Sequence, residues 1–356
     1  MESMECLKDI MEFYRGKKVL ITGHTGFKGT WLCKILVDAG AEVTGYALGA
    51  PTDPSLYGLS GISEKIHDVT GDIRDRERLW EVFESTRPEI VLHLAAQPIV
   101  RASYQDPSYT YETNVMGTVN ICECIRKSTC VKSFLNVTTD KVYLNKEWEW
   151  GYRESDALDG YDPYSNSKSC SELVTHSYIN SFFQEQGIAV STARAGNVIG
   201  GGDFAQDRII PDCIRAVMRG DEIIVRNPDS VRPYQHVLEP LFAYLLIARK
   251  QYEDPAYADF YNVGPDECDC VTTGELVTIF CSKWGKNQIW INRSAGGPHE
   301  AGFLRLDCSK LKQRLGWKPK WHIEEAVDMT CQFTRVYGTR GDIEQEMARE
   351  IEEFVR

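Results

Sequence analysis

From Lys17 onward, short apolar runs rich in β-branched residues alternate with longer segments in which apolar positions recur every three or four residues. "KKVLIT", "AEVTGYAL", "EIVLHLAA", "SFLNVTTD" and "AVSTARAGNVIG" are predicted as strands. "TWLCKILVDAG", "RERLWEVFESTRP" and "ETNVMGTVNICECIRKS" are predicted as the helices between them. Alternation of this kind builds a parallel sheet, and right-handed crossovers wind it doubly, so the expected class is α/β. After about Gly200 the alternation loosens into polar loops such as "RNPDSVRPYQH". The expectation is a first domain over residues 1–200 and a smaller one over 201–356, with a strand and helix near 235–265, "DFYNVGP" among them, returning to the first.

Directly after the first strand, "ITGHTGFKG" places Gly23, Gly26 and Gly29 at the start of a helix. The first glycine permits a tight turn, the second lets a pyrophosphate approach the backbone, and the third lets the helix pack on the sheet. Thr25, Phe27 and Lys28 fill the turn. With the sheet, this predicts a Rossmann-type domain that binds a dinucleotide, with a smaller C-terminal substrate-binding domain. The acid expected about 20 residues downstream, which holds the ribose of NAD, is missing from "VTGYALGAPT". No arginine replaces it, and Lys28 is the one nearby cation, so NAD is favoured and NADP stays open. In "TGDIRD", Asp72, followed by Ile73, either accepts from an adenine amine or caps the next helix.

Net charge is −12, from 52 acidic and 40 basic residues, which leaves no basic field for nucleic acid or an anionic membrane. Any anionic ligand has to be met by local arginines. "MESMECLKDIMEFYRGKK" lacks the apolar core of a signal peptide, and no run of 18 apolar residues occurs, so a cytoplasmic protein is expected. The twelve cysteines show neither a C-x-x-C pair nor zinc spacing; they are expected to be free thiols, with no metal.

"YSNSK" sets Tyr164 and Lys168 one helical turn apart on one face. A phenol is a poor base at neutral pH, but an ammonium and an oxidised nicotinamide close by favour its phenolate. Tyr164 then takes a hydroxyl proton as hydride leaves the same carbon. Upstream, "TTDKVY" packs Thr139, Asp140 and Lys141 at the end of a strand. Taken alone, that charge pair is either a solvated loop or an acid and base.

Gly23, Gly26 and Gly29, "LHLAAQ", Asn114, Thr139 and the Tyr164/Lys168 pair together resemble the extended short-chain dehydrogenase/reductase family over nearly the whole chain. "TTDKVY", "NKEWEWGYRE", "GYDPYSNSKSCSE", "ARAGNVIGGGDFAQDRIIPD" and "RPYQHVLEP" resemble its CDP-glucose 4,6-dehydratase branch. The resemblance implies an NAD-dependent hydro-lyase that oxidises C4 of the hexose, eliminates water across C5 and C6, and returns hydride to C6. It implies Leu94, Ala95, Ala96 and Asn114 at the cofactor beside the glycine turn, Asp72 and Ile73. It implies Gln97, Asn197, Arg208, Arg232 and Glu300 at the nucleotide sugar, although either arginine could be a surface ion-pair partner. Thr139 holds the C4 hydroxyl, Tyr164 takes its proton, and Asp140 is the acid for the departing C6 hydroxyl. Lys141 stands where related dehydratases carry a glutamate: a neutral amine there is the C5 base, an ammonium there stabilises the enolate. The implied partners are CDP-glucose and a second or fourth copy of the chain, as homodimer or homotetramer. The nearest alternative is a nucleotide-sugar 4-epimerase, which leaves Asp140 and Lys141 idle.

Overall fold

The computed structural model describes residues 6–285, 288–293 and 302–356. Its centre is a sheet of seven parallel strands: β1 (Lys18–Thr22), β2 (Glu42–Ala47), β3 (His67–Thr70), β4 (Ile90–His93), β5 (Ser133–Val137), β6 (Ala189–Ala195) and a seventh, Phe260–Val263. In space β3, β2, β1, β4, β5, β6 and the seventh strand follow one another. Every residue of β5 and β6 is buried, as strands covered by helices on both faces must be. The expected doubly wound α/β class is therefore the observed one. The chain reverses direction across the sheet between β1 and β4, which opens a crevice beyond their carboxyl ends.

One face of the sheet is covered by helices Phe27–Asp38 and Leu238–Glu253, whose Trp31, Leu36, Leu241 and Phe242 share a core with Ile21 and Leu92. On the other, Leu79, Phe83, Ile121 and Ile125 pack against Val91 and Phe134. A third core, around Ile210, Ile223, Leu276, Phe280 and Val327, belongs to the later part of the chain. There Val231–Pro233 pairs antiparallel with Cys270–Thr272, and Ile223–Val225 pairs parallel with Trp290–Asn292.

The first core differs from the boundary drawn at 200/201 by more than the return near 235–265. Helix Ile343–Val355 also enters it, because Ile343, Met347, Ile351 and Phe354 form one apolar stripe that the sheet-covering helices bury. Phe354 packs on Phe242 with ring centroids 5.1 Å apart and edge-on against Trp321 at 4.9 Å. Phe354→Ala is expected to cost about 3–5 kcal/mol of unfolding free energy, measured in urea; a loss under about 1 kcal/mol would show that the helix is not part of this core.

Candidate active site

The glycine turn follows β1 into the crevice. Gly23 has φ +79°, and a Cβ on it would lie 2.8 Å from the backbone nitrogen of Ala95, so the turn closes directly on the exit of β4. A Cβ on Gly29 would lie 2.2 Å from the Gly23 carbonyl, which fixes how near helix Phe27–Asp38 approaches the turn. That helix begins at Gly26 with no side-chain cap and no acid in its first turn. Its first N–H groups and positive end are left for an anion. Thr25 ties the turn to the end of β2 by donating to the Leu48 carbonyl at 3.0 Å.

One cleft of about 1990 Å³ runs from this turn, past Asp72, Ile73, Leu94, Ala95 and Ala96, to Thr139, Asp140, Lys141, Tyr164 and Lys168, and on to Asn197, Arg208 and Arg232. The volume is about twice that of a large single-ligand pocket, which suits a dinucleotide and a second nucleotide together.

At its centre Asp162 caps helix Pro163–Tyr178, accepting from Ser165 N at 3.0 Å, and so presents Tyr164 and Lys168 from the first turns. Lys168 Nζ donates to the Val137 carbonyl at 3.2 Å. Burial brings the Lys168 ammonium down to about 8. Burial pushes the Tyr164 phenol up to about 12, with a hydrogen bond to Thr139 working in the opposite direction. The phenolate expected from the sequence is therefore not set by the protein alone; it needs a further positive charge in the cleft.

Thr139 Oγ1 donates to Asp140 Oδ1 at 3.0 Å. Asp140 Oδ2 is buried and has no hydrogen-bond partner. Burial raises the Asp140 carboxyl, against the pull of Lys141, Thr139, Arg232 and Lys28. A carboxyl that burial makes a weaker acid, on a residue lining the cleft and with one oxygen unpartnered, is suited to donate a proton. Lys141 follows on the turn Asp140–Val142, and among the described residues its Nζ forms no hydrogen bond or ion pair.

The remaining predicted residues fall into three groups. Arg232, on the strand Val231–Pro233, is 8% exposed, lines the cleft and lies near enough to Asp140 for its charge to oppose the effect of burial there. Arg208 pairs with Asp203 at 3.0 Å on the cleft wall, while Arg101 and Arg226 both reach Asp207, at 3.3 and 3.5 Å. These arginines concentrate positive charge on the cleft wall of an acidic chain. Burial brings Lys28 down to about 8, and the charges of Arg208, Asp140, Lys168 and Asp203 in the same cleft act on it. No cation then remains at the end of β2 for a 2′-phosphate, among the described residues lining the cleft.

Residues 20–330 match the family model described as GDP-mannose 4,6 dehydratase. The chain belongs to this family. It is 44% identical over 349 residues to the CDP-glucose 4,6-dehydratase of Salmonella typhimurium strain LT2, covering 96% of this chain and 97% of that protein. It is 26% identical to the dTDP-glucose 4,6-dehydratase of Xanthomonas campestris pv. campestris strain B100, over 88% of this chain and 92% of that one. Among solved structures, a UDP-glucose 4-epimerase from Thermotoga maritima with UDP-glucose superposes with TM-score 0.78 at 22% identity, over 90% of this chain and 99% of that chain. A dTDP-glucose 4,6-dehydratase from Bacillus anthracis in complex with NAD gives TM-score 0.75 at 21% identity, over 92% and 99%. The two structures share the fold.

Within this family's fold, two predicted residues have their polar side-chain groups taken up by neighbouring protein groups. Asn114 sits in a five-residue π-helical stretch, Glu112–Met116, fully occupied by protein: its Oδ1 accepts from Gln97 N at 2.8 Å, and its Nδ2 donates to Gln97 O and Ser167 Oγ. Gln97 lines the cleft, but its amide is held by Thr110 Oγ1 and Ile99 N. Both fix the exit loop of β4. Of the two readings of Asp72, capping is excluded: Asp75 caps helix Arg76–Thr86, while Asp72 is held by Arg74 at 2.7 Å. Glu300 lies outside the described residues. Cys268, Asp269 and His322 bring donor atoms within 4.8 Å of one another, but Asp269 already accepts from Ile323 N and contacts His322 Nδ1 where helix Ile323–Gly338 begins.

Sequence reading missed a buried ion pair beneath the site, Glu172 with Arg194. Glu172 follows Lys168 by one turn on the face already recognised, and that spacing was its available signal.

Proposed function

We propose that this chain is an NAD-dependent CDP-glucose 4,6-dehydratase, converting CDP-D-glucose to CDP-4-dehydro-6-deoxy-D-glucose. The carrying observation is the buried, unpartnered Asp140 Oδ2 in the same cleft as Tyr164 and Lys168. Oxidation at C4 has no use for such an acid, whereas loss of the C6 hydroxyl does. The relative at 44% identity supplies the nucleotide.

The left-handed Gly23, the uncapped start of helix Phe27–Asp38 and the arginine-free end of β2 fit NAD. When bound, NAD accepts hydride from C4 and returns it to C6, so it is regenerated in each turnover. Thr139 orients the C4 hydroxyl and Tyr164 removes its proton. The resulting ketone acidifies C5–H, and Lys141 serves that position as base or as cation over the enolate. Asp140 protonates the C6 hydroxyl, which departs as water. Arg208 and Arg232 hold the sugar nucleotide's diphosphate. Residues 1–200 with the return near 235–265 form the NAD-binding part, and 201–356 mainly the substrate-binding part.

The decisive experiment offers CDP-, UDP-, dTDP- and GDP-glucose in turn and follows loss of one water by mass. CDP-glucose is expected to be converted fastest. Inversion at C4 without water loss would instead identify an epimerase. Arg232→Lys is expected to raise KM for CDP-glucose about tenfold with charge retained, because an ammonium cannot make the bidentate contact. An unchanged KM removes Arg232 from the diphosphate site.

We place the enzyme in the cytoplasm, as a homodimer or homotetramer. Twelve free cysteines suit a reducing compartment, and no helix among the described residues is long and apolar enough to cross a membrane. Met116 and Leu173, 50% and 54% exposed beside helices Gly117–Lys127 and Pro163–Tyr178, support pairing through those helices. Light scattering tests it.

A further inference from the structure

Glu172 is fully buried, two turns beyond Tyr164 and one beyond Lys168 on the same helix. Its carboxylate is paired bidentately with the equally buried Arg194: Nε donates to Oε1 at 3.1 Å and Nη2 to Oε2 at 3.0 Å. Thr192 Oγ1 donates to Oε2 at 2.7 Å. Two further contacts leave this pair in one direction. Thr138 Oγ1 donates to Glu172 Oε1 at 2.5 Å, and Arg194 Nη1 donates to Tyr143 Oη at 2.9 Å. Tyr143 Oη in turn donates to Asn262 Oδ1 at 2.6 Å on the seventh strand. Thr138 immediately precedes Thr139, and Tyr143 stands two residues after Lys141. The acid side of one ion pair thus holds the start of the catalytic turn, and its basic side holds the end.

We propose that Glu172 and Arg194 are positioning residues: together they clamp both flanks of Thr139–Lys141 and set that turn against Tyr164 and Lys168. The catalytic role given to the turn rests on the function proposed above. A buried ion pair that served stability alone could be exchanged for apolar side chains at little cost. This pair cannot be, since each partner also holds one hydroxyl of the reacting segment. The helix supplies a common frame: Tyr164, Lys168 and Glu172 recur at four-residue intervals, so the clamp transmits the register of the oxidation pair to the elimination groups. Burial works against the Glu172 carboxylate, but His176 at 3.5 Å, the Arg194 guanidinium and the Thr138 hydroxyl outweigh it and hold the carboxyl down to about 2. The clamp is therefore engaged throughout the neutral range.

Glu172→Gln leaves Arg194 buried without a counter-charge and is expected to fold poorly, so the test uses the two arms. Thr138→Val and Tyr143→Phe each delete one hydroxyl, keep the volume and leave the ion pair intact. In each, kcat for CDP-glucose is expected to fall about 10–100-fold with KM within about threefold, since misplacement of a reacting group by about 1 Å costs that much. The double variant should lose little beyond the worse single one, because both arms serve one object. Amide hydrogen exchange at residues 139–142 should quicken about tenfold in each variant while the β5 and β6 amides stay protected. The clamp is overturned if either single variant keeps wild-type kcat, if the losses multiply as independent effects, or if exchange at 139–142 is unchanged. The functional reading fails separately: a wild-type protein that dehydrates none of the four nucleotide-glucoses, yet shows the faster exchange in both variants, retains the clamp and loses the reaction.

Discussion

Tyr164→Phe is expected to fold, to bind NAD and CDP-glucose, and to turn over about 10³-fold more slowly than the wild type. The ring is buried and its apolar part is kept, so packing changes little. What disappears is the proton acceptor for the C4 hydroxyl. The size of the loss follows from the site. Burial pushes the phenol up to about 12, so without help it is a weak acid. Stabilising the phenolate would fall to Lys168 and to the positive charge that bound NAD would supply. Phenylalanine offers no acceptor at that point, and oxidation at C4 has to lose that proton. Single-turnover absorbance of NADH in the variant, beside a thermal unfolding scan, separates chemistry from folding. Turnover within tenfold of wild type would mean that another group is the base.

The second large effect separates elimination from oxidation. In Lys141→Met the groups for the C4 step, Thr139, Tyr164 and Lys168, are untouched, so the first hydride transfer should proceed. The path should then stall at the 4-keto hexose, because neither a C5 base nor a cation over the enolate remains. Enzyme-bound NADH should accumulate, and dehydration should fall about 10²–10⁴-fold, with little solvent deuterium entering C5 in heavy water. Asp140→Asn impairs a different bond: only expulsion of the C6 hydroxyl loses its proton donor. If Lys141 is the base, C5 exchange should continue in that variant while water loss stops. Deuterium entering C5 of Lys141→Met at the wild-type rate would show that lysine is neither base nor enolate stabiliser.

Much of this was legible in the sequence because it is local. A strand buried on both faces writes itself as an apolar run, as β4 and β5 do, and the glycine turn compresses its geometry into seven consecutive residues, Gly23–Gly29. Tyr164 and Lys168 share a helix face by spacing alone. What stayed hidden depends on elements brought together from afar. Glu172 and Arg194 meet only because β6 runs beneath helix Pro163–Tyr178, and each reads singly as an ordinary charge. Asn114 was recognised, but its direction was not: the π-helical stretch aims it at the β4 exit loop. The phenol's response to burial was also out of reach, since a sequence carries no solvent exposure.

Helix Ile343–Val355 carries a consequence for synthesis. It covers part of the same core as helix Phe27–Asp38, which emerges from the ribosome long before it. Until residues 343–355 are released, a nascent chain that has already assembled β1 to β6 exposes the apolar patch they will cover. Folding of the seven-stranded sheet's first core is thus completed only after translation of this segment, and truncation ahead of Ile343 should yield a product that chaperones retain or that aggregates.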